Sequence, residues 1–310
     1  MMVAVALTAC GGSTLPRQPQ ISTAIRGLSQ GPQWLYTFGQ CHSAPFSGIC
    51  ILSYPNGKYV GWIEDYAGSY VRSLCSDANG DLFVTINDTE AAVVEYLSHG
   101  TKLLNEGPYF PAGCAVDAAT GNVAVANVNI GHTPGFLAIF VHGKGHPRFY
   151  KSKVIYSFVN CGYDADGNLF GDGTDRKGNI LLGELPKGSK SIVVLQFSKR
   201  LYHAGPIQWD GSALAIGYGD GRARVIYQVR VSGSTAQIVG TTILRSHLFG
   251  YKFVGGFFVV GNSIVAAYPN GPKGPTVAAW PYPAGGNPQK ILTRWSGHLY
   301  PSAITVTAAQ

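Results

Sequence analysis

The sequence predicts an all-β protein, and its composition and the length of its apolar runs carry that prediction. The 310 residues include 41 Gly and 18 Pro; only 13% are charged and 45% are hydrophobic. The apolar runs are short, roughly four to eight residues, and rich in Val, Ile, Phe and Tyr. Gly, Pro, Asn and Asp separate them, and no window shows the sustained period of an amphipathic helix. Short strands joined by tight turns are the structure that this pattern favours.

A repeated motif divides the chain at regular intervals. It consists of an Asp, a turn that ends in Gly and an apolar strand, as in VDAATGNVAV at 116–125. The turn glycines lie 41 to 50 residues apart, at Gly80, Gly121, Gly167, Gly211 and, as a weaker match, Gly261. A second series of strand-and-turn signals has a similar period, with its glycines at Gly57, Gly100, Gly143, Gly188, Gly233 and Gly285. Because repeats of 40 to 50 residues with about four short strands are typical of propeller blades, both series predict a β-propeller.

The two series differ in number, and the difference predicts how the ring closes. Six turns of the second series occur but only five motifs, so the first blade lacks an innermost strand at its N-terminal side. The C-terminal segment 300–310, YPSAITVTAAQ, is apolar and β-branched. We expect it to pair with the N-terminal blade, which would remove two exposed sheet edges. The prediction is a six-bladed β-propeller over 34–310 with no second domain.

The N-terminal residues have the features of an export signal and a lipid attachment site. A short apolar run leads into Leu7-Thr8-Ala9-Cys10, which resembles the bacterial lipobox, where a peptidase cuts before the Cys and the thiol carries a diacylglycerol. A Gly/Ser/Pro/Gln-rich segment follows. We predict a signal-peptide remnant over 1–9 and a lipidated Cys10 with a flexible tether over 10–33. The protein would lie at the bacterial cell envelope, with the lipid as its attachment to the membrane.

Beyond this segment the chain resembles a known family over about 34–310. Phrases such as SDANGDLFV, CAVDAATGNVAV, CGYDADGNLF, GELPKGSKS, IQWDGSALAIG and WPYPAGGNPQKIL are similar to those of bacterial six-bladed propeller lipoproteins of the NHL/TolB-like type. The resemblance implies the fold and the family. It implies no particular chemistry, since most such proteins carry no assigned activity.

The Asp of the repeated motif has two interpretations. Asp77, Asp117, Asp164 and Asp210 could be Ca²⁺ ligands, because Asp-x-Asp/Asn-Gly resembles part of a calcium loop. The remaining oxygens of such a loop, including a distal Glu, do not follow at the required spacing. We therefore expect each carboxylate to accept backbone N–H groups of its own hairpin, with Gly supplying the positive φ.

The loops that follow the second strand of each blade are the candidate ligand-binding face. By blade geometry they share one face with the connections between blades, and loops on a rigid scaffold commonly carry function. Carboxylates and amides there would suit a cation or a polyhydroxylated ligand, although they could equally cap the loops. The residues are Asn87, Asp88, Asn127, Asn129, Asp172, Asp175, Asp220 and Asn270.

Five cysteines remain when Cys10 is set aside, so at least one is left out of an intramolecular pairing. Cys41 and Cys50 flank a short loop, and an exported protein can form a disulfide there. Three more precede the motif Asp on innermost strands, where a Cys114–Cys161 or a Cys75–Cys114 bridge could join adjacent blades. These three residues could instead hold a soft metal as a cluster of thiolates, or remain buried thiols.

The distribution of charge limits the classes of partner that we expect for the protein. The formal net charge is +7, but Lys and Arg form no dense stripe, which argues against a nucleic-acid partner. We expect a monomeric binding or scaffolding module, without a cofactor, whose partner is a protein or a glycan. The second hypothesis is a metal-dependent hydrolase or lyase of the lactonase type with Ca²⁺ in the central channel. Only 16 residues are acidic, and the active sites of such propellers cannot be mapped onto this chain, so the residues favour the binding module.

Overall fold

The computed structural model describes residues 33–41, 47–64, 70–87, 92–97, 100–104, 109–219, 224–245, 256–268, 276–294 and 303–307. Within these ranges the protein consists of β-strands, turns and one short 3-10 turn over Val141–Gly143, and it contains no α-helix. The predicted all-β class is therefore confirmed. No helix in this part of the chain is long and apolar enough to cross a membrane.

The strands form six four-stranded units, which we number from the N-terminus. Unit 1 contains β1 (Trp34–Gln40), β2 (Ser47–Ser53), β3 (Tyr59–Glu64) and β24 (Ile304–Val306). Unit 2 contains β4 (Tyr70–Ser76), β5 (Leu82–Asn87), β6 (Ala92–Leu97) and β7 (Gly100–Leu104). Unit 3 contains β8 (Phe110–Val116), β9 (Val123–Val128), β10 (Phe136–Phe140) and β11 (Arg148–Tyr150).

The C-terminal half follows the same plan. Unit 4 contains β12 (Ser157–Tyr163), β13 (Leu169–Thr174), β14 (Ile180–Leu185) and β15 (Val193–Phe197). Unit 5 contains β16 (Ile207–Trp209), β17 (Leu214–Gly219), β18 (Arg224–Ser232) and β19 (Thr235–Leu244). Unit 6 contains β20 (Gly256–Val260), β21 (Ser263–Tyr268), β22 (Thr276–Pro281) and β23 (Lys290–Arg294).

Within each unit the strands pair antiparallel with their neighbours. The order is β24-β1-β2-β3 in unit 1 and follows the chain in units 2 to 6. Units 4 and 5 form one eight-stranded sheet, because their outer strands β15 and β19 pair in parallel over two residue pairs. In unit 1, Leu35 lies opposite Val306 and Thr37 opposite Ile304, so the end of the chain supplies the strand that precedes β1 in the order.

The motif turns have the hydrogen bonds expected of Asp-capped hairpins. The Asp77 carboxylate accepts the backbone N–H groups of Asn79 and Asp81, each at 2.9 Å. Gly80 ends this turn with a φ of 86°, a conformation that costs residues with a Cβ more than it costs glycine. The Asp164 carboxylate accepts the N–H groups of Asp166 at 3.0 Å and Asn168 at 2.8 Å in the same way. Each motif thus ends an innermost strand and starts the next strand outward.

Among the described residues, the apolar core consists of six clusters, each between two units. Five of them join units that are consecutive in the chain. The sixth joins unit 6 to unit 1, with Val265 and Val277 packed in the same cluster as Leu35 and Val306. Every unit therefore buries apolar side chains against two others, which is the main source of stability for an assembly of small sheets.

The connections define two ends of the molecule. The first-to-second and third-to-fourth connections, including the motif turns, lie at what we call the turn end. The second-to-third connections and the links between units lie at the loop end, which follows from the antiparallel order of the strands. The first described residues belong to the turn end, where the Gln33 side chain donates to the Thr307 carbonyl at 3.1 Å.

Candidate functional site

A central cavity of about 790 Å³ is lined by the innermost strands of all six units. Most of its wall is apolar or small, as at Leu74, Ile207, Trp209 and Phe258. Its charged lining residues are Arg72, Asp77, Asp117 and Asp164. The cavity reaches the motif turns, so three of the four repeated Asp residues, Asp77, Asp117 and Asp164, border it.

The carboxylates that border the cavity do not converge on one point. Asp117 is buried, and its carboxylate accepts the Ala119 N–H at 3.0 Å and the Thr120 hydroxyl. Asp77 and Asp164 are committed to their own turns in the same way. Among the residues that the structure describes, no three His, Cys, Asp or Glu side chains are grouped to hold a metal ion. These oxygens stabilise hairpins, as the turn interpretation of the motif predicted.

Two of the eight predicted ligand-face residues lie buried inside strands. Asn127 lies in β9 and Asp172 in β13, and both side chains are fully buried. The expectation that they face a ligand is corrected, because β9 continues to Val128 and β13 continues to Thr174. The Asn127 side-chain oxygen has no hydrogen-bond partner in the structure.

The other members of the predicted set are scattered. Asn87 ends β5, and Asn129 follows β9 and donates from its side chain to the Gly131 carbonyl at 3.3 Å. The Asp175 carboxylate caps its own turn by accepting the N–H groups of Lys177 at 2.8 Å and Asn179 at 2.9 Å. Asp88, Asp220 and Asn270 lie outside the described residues. The structure does not assemble the described members into one polar ring.

The Asp172 side chain connects unit 4 to the link that leads into unit 5. Its carboxylate accepts the backbone and side-chain N–H groups of Asn160, at 3.1 and 3.0 Å, and the Gly205 N–H at 2.9 Å. Asn160 follows an irregularity in the register of β12, and Gly205 lies in the link to unit 5. Burial raises the pKa of Asp172 to about 7, although the hydrogen bonds from Asn160 and Gly205 oppose the shift.

Thr85 occupies the equivalent position in unit 2. It lies five residues after the motif glycine, as Asp172 does, and its hydroxyl donates to the Ala112 carbonyl of unit 3 at 2.5 Å. Ser73, opposite Thr85 in the pairing, accepts the Cys114 N–H at 3.3 Å. The position five residues after the motif glycine can be located in the sequence. Only the contacts in the structure show that its side chain joins one unit to the next.

The cysteines adopt one of the patterns that the sequence left open. Disulfides join Cys41 to Cys50 within unit 1 and Cys75 to Cys114 between units 2 and 3. A Cys114–Cys161 bridge is therefore ruled out, and so is a cluster of three thiolates. Cys161 is buried, with its sulfur 3.6 Å from the Gly113 carbonyl oxygen. Cys75 lies beside Cys114 because the innermost strands of neighbouring units run alongside one another.

Basic side chains that occur as separate pairs in the sequence all lie at the loop end of units 3 to 5. Three connections, 151–156, 175–179 and 198–206, each contribute two exposed cations. They are Lys151, Lys153, Arg176, Lys177, Lys199 and Arg200. We call this set the basic surface. No stretch of sequence revealed it, because each pair lies about 23 residues from the next.

Comparisons with known proteins identify the fold. No protein-family model matches the chain, and no curated protein matches it in sequence. Among solved structures, the crystal structure of a nidogen/laminin complex matches with a TM-score of 0.64 at 13% identity, over 90% of this chain and 99% of that chain. A protein of unknown function from Bacteroides caccae matches with a TM-score of 0.62 at 14% identity, over 90% and 100% of the two chains.

A third solved structure gives the same result. The putative TolB from Agrobacterium tumefaciens matches with a TM-score of 0.56 at 13% identity, over 89% of this chain and 98% of that chain. At these identities the similarity concerns the fold. The protein is a β-propeller of TolB-like architecture.

Proposed function

We propose that the protein is an exported, lipid-anchored, six-bladed β-propeller that binds a protein partner at the bacterial cell envelope. The observation that carries the binding role is the wall of the central cavity. Its carboxylates are committed to hairpin turns, and the rest of its lining is largely apolar and small. The described carboxylates do not converge on one ion, as activation of a metal-bound water requires, so this wall favours a binding module over the hydrolase.

The six units and their six apolar clusters support the blade count. Each cluster joins neighbouring units, and the cluster between units 6 and 1 leaves no unit with a single neighbour. A ring of six blades is the simplest arrangement with that property. The pairing of β24 with β1 supports closure, since it completes the first blade with the end of the chain.

The lipid anchor rests on the Leu7-Thr8-Ala9-Cys10 segment. In a bacterial host that modifies lipoproteins, the full chain is expected in the membrane fraction and Cys10→Ser in the soluble fraction, because the lipid would be the attachment. Ser13→Ala is the matched control and should fractionate like the parent chain. A soluble parent chain, or membrane association that survives Cys10→Ser, would contradict the anchor.

The binding role is tested by photo-crosslinking in cells. A photoreactive amino acid is placed at Lys177, at the loop end, or at Asp166, at the turn end; both side chains are exposed. A discrete crosslinked protein band from at least one position is expected. If neither position yields a band, and the purified protein hydrolyses lactones only when Ca²⁺ is added, the metal-dependent hydrolase replaces the binding module.

A further inference from the structure

We propose that the basic surface at the loop end of units 3 to 5 is the docking site and that it binds an acidic protein surface. This inference rests on the proposed function and specifies where the partner binds and what its chemistry is. The three connections carry six exposed cations and one acidic residue, Asp175. The whole chain has 23 Lys and Arg against 16 Asp and Glu, so the cationic excess is far greater at this surface than in the chain as a whole.

Hydrogen bonds of Tyr156 hold the first of the three connections in place. Its backbone N–H donates to the Thr174 carbonyl at 2.7 Å, and its own carbonyl accepts the Gly135 N–H at 2.8 Å. Its hydroxyl donates to the Gly131 carbonyl at 2.9 Å. The Arg176 guanidinium lies 4.7 Å from the centre of the Tyr156 ring, which places that cation over a fixed aromatic face.

The third connection is held by the buried Asp172 carboxylate, which accepts the Gly205 N–H. Lys199 and Arg200, in the same connection, lie 5.8 Å from the ring centres of Tyr227 and Tyr202 respectively. The first and third connections are hydrogen-bonded to residues of β13, and Arg176 of the second packs over Tyr156 of the first. Because these contacts restrict the connections, less conformational entropy is lost when they meet a partner. The surface is thus preorganised for binding.

Exposed apolar and aromatic side chains lie among the cations. Val154 is 52% exposed and Tyr202 is 56% exposed, two of the highest values among the large hydrophobic residues of the described chain. Tyr and Arg are enriched at protein–protein interfaces, where they supply much of the binding energy. A nucleic acid would require a more continuous basic stripe, and here Val154, Asp175 and Tyr202 interrupt the charge.

The position of the first described residues argues against a lipid bilayer as the partner. Gln33 lies at the turn end, where its side chain contacts Thr307. A lipid-anchored chain that enters the fold there would have its loop end on the far side of the molecule. The turn end also carries charges of both signs, including Asp166, Lys187 and Lys190, so it offers no comparable cationic field. An acidic protein would be steered to the loop end.

The test compares two charge-reversal variants of the full chain. One is Lys153→Glu/Lys177→Glu/Lys199→Glu, with one change in each connection of the basic surface. The control is Lys144→Glu/Lys187→Glu/Lys190→Glu at the turn end, which alters the net charge equally. Circular dichroism and thermal unfolding establish that both variants fold.

The probe is a fluorescent peptide of about 20 residues in which Glu alternates with Tyr and Leu. Its binding is measured by fluorescence anisotropy at about 50 and 300 mM salt. We expect the loop-end variant to bind it about tenfold more weakly than the parent and the turn-end variant to bind it nearly as well, with the difference shrinking at high salt. Equal loss in both variants would overturn the proposal. The proposal would also be overturned if the parent chain bound alginate, duplex DNA or phosphatidylglycerol vesicles more tightly than it binds the peptide.

Crosslinking in cells separates this inference from the proposed function. A protein band from the photoreactive residue at position 177 that disappears when Lys153→Glu and Lys199→Glu are added to the same chain supports both. A band from Asp166 alone leaves the binding module standing and overturns the docking site. Absence of a band from either position overturns the proposed function itself.

Discussion

At the scale of single residues, Asp172 is a carboxyl group in the core whose pKa is strongly raised. It is fully buried, and its pKa is about 7 against an ordinary value of 3.8. Burial favours the neutral acid, while three N–H donors favour the carboxylate. The side chain therefore links the stability of two neighbouring units to the pH.

The sign of this link follows from the direction of the shift. Between about pH 4 and pH 7 the folded protein keeps a proton on Asp172 that the unfolded chain has released, so the contribution of Asp172 to stability falls as the pH rises through this window. Asp172→Asn should remove that slope, because an amide does not titrate. Urea unfolding at several pH values between 4.5 and 7.5 measures it; parallel curves for the parent and the variant would contradict the assignment.

Tyr282 makes a second contact of this kind between units. Its hydroxyl donates to the Asp210 carboxylate, which joins unit 6 to the motif turn of unit 5. Although burial raises the pKa of Asp210, the hydrogen bonds from Tyr282, Ala213 and Ser212 outweigh it and hold the value below the usual range. The contact is a charge-assisted hydrogen bond in a half-buried setting.

Removal of the Tyr282 hydroxyl should cost stability. We expect Tyr282→Phe to lower the free energy of unfolding by about 1 to 2 kcal/mol at neutral pH, because Asp210 loses a charge-assisted donor. Tyr202→Phe is the matched control, since that ring is 56% exposed and should change little. Equal midpoints of urea unfolding for Tyr282→Phe and the parent chain would contradict the expectation.

At the scale of structural elements, the Cys75–Cys114 disulfide connects the innermost strands of units 2 and 3. It joins residues 39 apart in sequence, whereas Cys41–Cys50 spans 9. In the chain-entropy account, the longer loop restricts the unfolded chain more and therefore stabilises the fold more. The effect of loop length on stability can thus be compared for two disulfides within one protein.

Replacing each pair by serine tests that comparison. We expect Cys75→Ser/Cys114→Ser to destabilise the protein by about 2 to 4 kcal/mol and Cys41→Ser/Cys50→Ser by about 1 kcal/mol less. Urea unfolding under non-reducing conditions measures both, and the difference should vanish when the parent and the variants are compared in reductant. A larger loss for the shorter loop would show that packing at Cys41 and Cys50 outweighs chain entropy.

The strands and turns were more predictable from the sequence than the contacts between units. The spacing of Asp77 and Gly80 specifies a local turn, and local hydrogen bonds form that turn in the structure. The burial of Asn127 and Asp172 could not be predicted, because a change of a few residues in the position of a strand end moves a side chain from a loop into the core. The basic surface was missed for another reason, since it is assembled from three connections that only the fold brings together.

At the scale of the whole molecule, β24 has contacts on two sides. Ala303 belongs to the apolar cluster between units 1 and 2, and Ile304 and Val306 belong to the cluster between units 6 and 1. Thr305, which is fully buried, hydrogen-bonds with Ser76 of unit 2 at 3.3 Å. This one short strand therefore connects three units.

Deletion of 303–310 should affect the molecule far more than the loss of eight residues suggests. It would expose the edge of β1 and the apolar clusters on both sides, so we expect a lowered thermal midpoint and a tendency to aggregate. Deletion of 308–310 alone is the matched control, because the pairing of β24 with β1 would be retained. Scanning calorimetry with light scattering measures both; identical behaviour of the two deletions would contradict a closing role for β24.

The pairing of β24 with β1 also dictates an order of events during synthesis. In the sequence β1 precedes units 2 to 6 and β24 follows them, so β1 is synthesised well before the strand with which it pairs. Units 2 to 6 can each assemble as the chain emerges from the ribosome. In unit 1, the edge of β1 that pairs with β24 stays unpaired until β24 has been synthesised. Of the six units, unit 1 is therefore the first to be started and the last to be completed, and that interval is when a chaperone would be most useful to this protein.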